Sequence, residues 1–209
     1  MGLSDSDLGL IKCPDLNINA IKARIAKYHQ ENNQITENNS NYYQKAAVLV
    51  LLVCIEDTWN LLFTRRSDLL KNHKGQVSFP GGAMEAGDID EVATALRETA
   101  EEIGVLPPSV HILGKMPLFI TNSNFLLTPI IALLDWPIKF LISEHEVSKV
   151  FTIPIPWLMN PVNWEEKIIR DPSGRLEPVI FYKKYDNELL WGISAKITVE
   201  LVEHILKQK

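Results

Sequence analysis

Glu98, Glu101 and Glu102 stand at i, i+3 and i+4, with Glu91 two turns upstream of Glu98. On a helix turning about 100° per residue, all four carboxylates fall within about 60° of the Glu98 direction. Val92, Ala93, Leu96, Ala100 and Ile103 fall on the opposite side. The spacing therefore predicts a helix over 91–103 with an apolar buried face and a carboxylate face turned away from it. Like charges this close weaken a helix by a few tenths of a kcal/mol (roughly) per pair, and a divalent cation offsets that repulsion. Mg²⁺ or Mn²⁺ takes hard oxygen ligands and recruits phosphate oxygens to complete its shell. A solvated acidic helix face is the other reading, and a bare Glu-x-x-Glu-Glu does not separate the two. The preceding Phe79-Pro80-Gly81-Gly82 weighs for the metal: adjacent glycines after a proline make a tight turn whose backbone can approach a ligand closely.

The elements that must position these residues can be read from pattern. Apolar positions at Leu16, Ile18, Ile21 and Ile25 suit a helix, and the Asn-rich stretch Glu31–Asn41 suits a linker. This divides the chain into an N-terminal helix and linker, 1–40, and a main domain, 41–209. Ala46–Ile55 and Trp59–Thr64 are β-rich runs around Glu56-Asp57-Thr58, a hairpin. Further strands are expected at Val110–Ile120 and Leu126–Leu134, and near 163–170 and 178–185, with a last helix over about 193–206. Strands broken by helices without strict alternation predict an α+β domain, a mixed β-sheet sandwiched between α-helices. Arg65, Arg66, Lys71, His73 and Lys74 form a basic loop ahead of the Gly-Gly turn, suited to phosphate oxygens.

The segment around the helix resembles the Nudix hydrolases, whose signature is Gly, five residues, Glu, seven residues, then Arg-Glu-aliphatic-x-Glu-Glu-x-Gly-aliphatic. Gly82, Arg97, Glu98, Glu101, Glu102, Gly104 and Val105 match it. Arg97 follows Gly82 by fifteen positions where the signature has fourteen, Asp88 stands at the first acidic position, and Thr99 replaces an aliphatic residue. The extra residue precedes the Arg-Glu-x-x-Glu-Glu register, so it leaves that register intact and the role of Asp88 open. The resemblance implies a Nudix fold (α/β/α) and hydrolysis of a diphosphate bond in a small nucleotide. It implies Glu98, Glu101 and Glu102 as ligands of Mg²⁺ or Mn²⁺, with Arg97 orienting one of those carboxylates. A loop carboxylate that assists water attack is also a family habit. Here Glu144 and Glu146 both qualify, and Glu146 is favoured because Glu146-Val147 is similar to the family at that point.

Leu62-Phe63-Thr64-Arg65-Arg66-Ser67, then Lys71, Gly75 and Phe79-Pro80-Gly81-Gly82, is similar to the additional motif of the coenzyme A pyrophosphatase branch. Phe63 stands for Leu and Lys71 for Arg. Trp191-Gly192-Ile193-Ser194-Ala195 resembles the opening of that branch's final helix. The resemblance implies hydrolysis of coenzyme A or its derivatives to a 4′-phosphopantetheine species and adenosine 3′,5′-bisphosphate. Arg65, Arg66, Lys71, Gly81 and Gly82 would meet the substrate. The alternatives are a pyrophosphatase for ADP-ribose or NADH, whose branches lack the upstream basic motif, and a non-catalytic nucleotide-sensing module, which need not keep the glutamate triad.

The remaining features set bounds. A formal charge of −5 over 209 residues disfavours a nucleic-acid partner, which asks for a basic face. No apolar run reaches membrane-spanning length and no cationic leader opens the chain, so a cytoplasmic location is expected. Cys13 and Cys54 lack metal-ligand spacing and read as buried free thiols. Pairing of two copies into a homodimer stays open. Trp136, Trp157, Trp164 and Trp191 read as packing residues.

Overall fold

The computed structural model describes residues 13, 16–32, 42–70, 72–170 and 174–207. At its centre lies β1, Gln44–Ile55, apolar on both faces as a strand covered on both sides must be. Ala46, Val50 and Leu52 enter one apolar cluster, while Ala47, Leu49, Leu51 and Val53 enter another on the opposite face. β2, Thr58–Arg66, returns antiparallel to β1 through Glu56 and Asp57, whose φ values of 46° and 58° give the left-handed two-residue turn that matches strand twist. On its other edge β1 runs parallel to β7, Phe125–Leu134. The sheet extends beyond β2 through β3, Val77–Ser78, and β8, Val147–Pro154. Beyond β7 lie β5, Val110–Lys115, and β6, Phe119–Ile120. β4, Gly81–Ala83, pairs with the first half of β1, on the edge that β2 occupies further along.

Helix α1, Ile18–Asn32, buries Ile21 and Ile25 in the same cluster as Ala195, Ile197 and Leu201 of α4, Gly192–Leu201. The opposite face carries α2, Glu91–Ile103, whose Ala95 and Ile103 join the cluster of Leu49 and Leu51. A mixed sheet between helices results, as the sequence predicts. A one-turn helix, α3 (Ile155–Leu158), follows β8. Then β9, Trp164–Arg170, and β10, Leu176–Tyr182, form a separate two-stranded ribbon.

Three expectations are corrected. Cys13 and Cys54 are joined in a disulfide, with Cα atoms 5.9 Å apart, and are not free thiols. The end of β1 and the stretch ahead of α1 meet in space, which sequence spacing alone does not reveal. The expected strand 110–120 divides into β5 and β6: Met116 N still donates to Pro129 O, but neither Pro129 nor Pro117 has an N–H to carry the ladder on. β8 follows the loop of Glu144 and Glu146, where the sequence reading has no strand. Among the described residues, no helix is long and apolar enough to cross a membrane.

Candidate active site

Helix α2 is fixed at both ends by its own sequence. Asp90 is the N-cap, its carboxylate accepting from Ala93 N at 2.8 Å. Gly104 closes the helix in the left-handed conformation, φ 72°, with its N–H on Ala100 O at 3.0 Å. The last carbonyls then recruit a distant loop: Ile103 O accepts from Leu141 N at 3.0 Å, and Glu102 O from Ser143 N at 2.9 Å. A Cβ at Gly104 would lie 2.6 Å from Leu141 Cβ, so the loop docks where only glycine leaves room. This docking carries Glu146 toward the helix, and Ser67 N holds Glu146 O at 2.8 Å from the other side.

The buried face of α2 differs from the predicted one. Thr94, Ala95, Thr99, Glu102 and Ile103 are buried, whereas Val92, Ala93, Leu96 and Ala100 are only partly covered. Glu102, expected on the outward carboxylate face, is 4% exposed. The cause is the backbone of β4, which crosses this side of the helix without side chains. Gly81 N donates to Glu102 Oε2 at 3.2 Å, and a Cβ on Gly82 would stand 2.5 Å from Glu98 Cδ. The two glycines do not merely turn the chain; they let a strand lie against two carboxylates.

Arg97 holds a second layer. Asp88 accepts from its Nε and Nη2, each at 3.0 Å, a bidentate pair. Nη1 then donates to Glu98 Oε1 and Glu101 Oε2, both at 3.0 Å, and Nη2 to Ala83 O at 3.1 Å. Asp88 is itself anchored by Glu85 N at 2.9 Å and Thr94 Oγ1 at 3.0 Å. The Arg97 guanidinium, with these donors, holds the Asp88 carboxyl far below the usual carboxylate range. The inserted residue is therefore absorbed in the loop, and the shorter aspartate still reaches the arginine.

The domain model described as "NUDIX domain" matches residues 44–176. The chain belongs to the Nudix family. Relatives named as an uncharacterized Nudix hydrolase, NudL, in Yersinia pestis and Yersinia pseudotuberculosis are 32% identical over 180 residues, covering 84% of this chain and 88% of theirs. Among solved structures, a MutT/nudix family protein from Enterococcus faecalis superposes with a TM-score of 0.51 at 13% identity, over 99% of this chain and 76% of its own. The protein DR0079 from Deinococcus radiodurans gives 0.50 at 14% identity, over 79% and 89%. These two show a shared fold. The chain is thus a Nudix pyrophosphohydrolase, an enzyme acting on small nucleoside-diphosphate derivatives.

Nudix hydrolases use divalent metal ions, and the residues here fit one. Burial pushes the Glu102 carboxyl up to about 8, against the Gly81 hydrogen bond that favours its charge. Burial likewise raises Glu98, opposed by Arg97. Both are hard oxygen donors that a cation would keep ionised. Among the described residues no group of three His, Cys, Asp or Glu side chains converges to hold a metal. Glu101 is turned onto Arg97, with over half its side chain exposed. Glu146 raises both Glu98 and Glu102 by like charge, so this loop brings its charge to bear on the pair. Glu144 does not figure among the charges acting on either.

The two arginines of the basic loop point different ways. Arg65 pairs with Asp68 at 3.4 Å and Glu188 at 3.7 Å, tying β2 to the turn before α4. Arg66 instead acts on Glu102, lowering it. Its Nε is buried and has no hydrogen-bond partner among the described residues. Lys71 lies outside the described residues. The backbone docking of Leu141 and Ser143 escapes a sequence reading; Gly104 signals a helix end but not what covers it. Trp191 stacks on Phe181, centroids 5.6 Å apart, and Trp157 packs against Tyr182 and Tyr185.

Proposed function

We propose that this Nudix enzyme hydrolyses the diphosphate of coenzyme A or its derivatives. Water adds across one P–O–P bridge, giving a 4′-phosphopantetheine species and adenosine 3′,5′-bisphosphate. The observation that supports it best is Arg66. It is the arginine at which the chain resembles the coenzyme A branch, and its guanidinium, whose charge lowers the Glu102 carboxyl, has a buried N–H still free to bond. A phosphate oxygen is the partner that such a group suits. Glu98 and Glu102 would hold Mg²⁺ or Mn²⁺, with Glu101 joining if it leaves Arg97. The bound ion would polarise the phosphoryl group and lower the pKa of water. Arg97, held by Asp88, keeps Glu98 in place beneath Gly82. Glu146 would orient the attacking water and take its proton.

The test is kcat/KM for coenzyme A, its 3′-dephospho form and ADP-ribose under one Mg²⁺ condition. A site fitted to the 3′-phosphate should favour coenzyme A by about tenfold to a hundredfold, since hydrogen bonds to charged groups contribute about 1.5–3 kcal/mol. Arg66→Ala should erase most of that difference, because Arg66 is the group assigned to the 3′-phosphate. ADP-ribose emerging as the best substrate would overturn the coenzyme A reading and leave Nudix hydrolysis standing.

A further inference from the structure

The β9–β10 ribbon stands apart from the main sheet. Six of the seven residues of β9 are exposed, on both faces of the strand. Ile168 is 62% exposed and its ribbon neighbour Leu176 57%. A two-stranded ribbon is marginal by itself and usually needs a third strand or a covering layer. Its two edges differ in what they offer a partner. The outer edge of β10 is closed at one end by Leu190 and Trp191, which bond Tyr182 and Phe181, and Pro178 removes a donor from the strand. β9, Trp-Glu-Glu-Lys-Ile-Ile-Arg, has neither proline nor glycine, and no strand pairs with its outer edge among the described residues. This open edge carries four charged side chains beside Ile168 and Ile169, so charge pairing decides which strand it can accept.

We propose that β9 is the seam of a homodimer, pairing antiparallel with β9 of a second copy about a twofold axis through Ile168. The sequence is self-complementary in that register. Ile168 meets the partner's Ile168, and Glu166 meets the partner's Arg170, twice by symmetry. Glu166 makes no ion pair among the described residues. Arg170 spends one Nη1 hydrogen bond on Gly174 O, at 2.7 Å, and keeps the rest of its fork. Moving the axis one residue, to Lys167, would set that lysine against itself and break the Glu166–Arg170 match. The ribbon register places Pro178 beside Ile168 and Leu176 beside Arg170, so the exposed apolar face of one ribbon would continue into the other. The product is a four-stranded sheet, β10-β9-β9-β10, whose β10 strands already pack on α4.

Light scattering on the full chain measures the assembly directly, and the proposal expects twice the 23.7 kDa chain mass. Glu166→Arg and Arg170→Glu each put like charges opposite one another at two symmetric places. Each should weaken dimerisation by about tenfold or more, with circular dichroism unchanged. The double variant Glu166→Arg/Arg170→Glu restores complementarity and should restore the dimer. A monomeric wild-type chain at high micromolar concentration overturns the proposal. So does a dimer that both single variants leave intact, which would locate the contact elsewhere.

Discussion

Glu102 places a carboxylate where water barely reaches, with the Gly81 backbone N–H as a hydrogen-bond partner. Its folded pKa of about 8 lies above the ordinary 4.5, so the protonated form is favoured in the fold. That contribution is fully present below 4.5 and is lost as pH climbs through about 8. Glu98 shifts the same way and adds to the trend. Chelator-treated enzyme should therefore lose on the order of 5 °C in Tm across this window. Glu102→Gln should flatten the curve while lowering kcat by at least ~100-fold, the scale of losing a principal electrostatic group. A wild-type Tm that stays level from pH 5 to 8 without metal would discard the buried-carboxylate account. Glu146 invites a paired comparison with Glu144, since the charge of Glu146 acts on both carboxylates. Glu146→Gln should lower kcat by about 10²–10⁴-fold, the range for a general base, and Glu144→Gln by little. Equal, mild losses from both substitutions would return the loop to the solvent.

At the scale of elements, the site depends on β4 lying flush against α2. Gly82→Ala sets a methyl 2.5 Å from Glu98 Cδ, so either the strand or the carboxylate must shift. We expect kcat to fall by about tenfold to a hundredfold, as a small misplacement near the chemistry does, with helicity by circular dichroism unaltered. Wild-type kcat in that variant would mean that β4 does not fix Glu98. The same contact explains why the sequence reveals α2 but not its orientation. The carboxylate and apolar spacing marks its span, 91–103, correctly. Which side is buried depends on a strand of glycines that leaves no hydrophobic trace. Thr99 adds to this by turning its hydroxyl onto Ala95 O at 2.7 Å, so a polar residue lies satisfied in the core. β8 went unread because its pattern lacks a clean alternation and its prolines mimic a boundary. The hairpin at Glu56-Asp57, by contrast, is local chemistry and was legible.

Across the whole molecule, the sheet separates two tasks. One face holds α2 and the carboxylates, while α1, α4 and the larger apolar cluster cover the other. β1 supplies both, its alternate residues facing opposite ways, so chemistry and covering layer meet only through a strand closely packed on each side. The N-terminal helix belongs to the covering layer: Ile21 and Ile25 are each 1% exposed, in one cluster with Leu113, Met116, Leu201 and Val202. Removing Ile25 therefore reports on stability without touching the reaction. Ile25→Ala deletes buried methyl groups and leaves a cavity, which costs about 2–4 kcal/mol. For a chain of this size that lowers Tm by on the order of 10 °C. The carboxylates lie across the sheet, so kcat of the folded variant and its Mg²⁺ dependence should stay within about twofold of wild type at a temperature where it remains folded. Thermal melts and initial rates on one preparation separate the two effects. A fall in kcat approaching that of Glu102→Gln would show that the covering layer sets the geometry of α2 through β1, and that the faces act together.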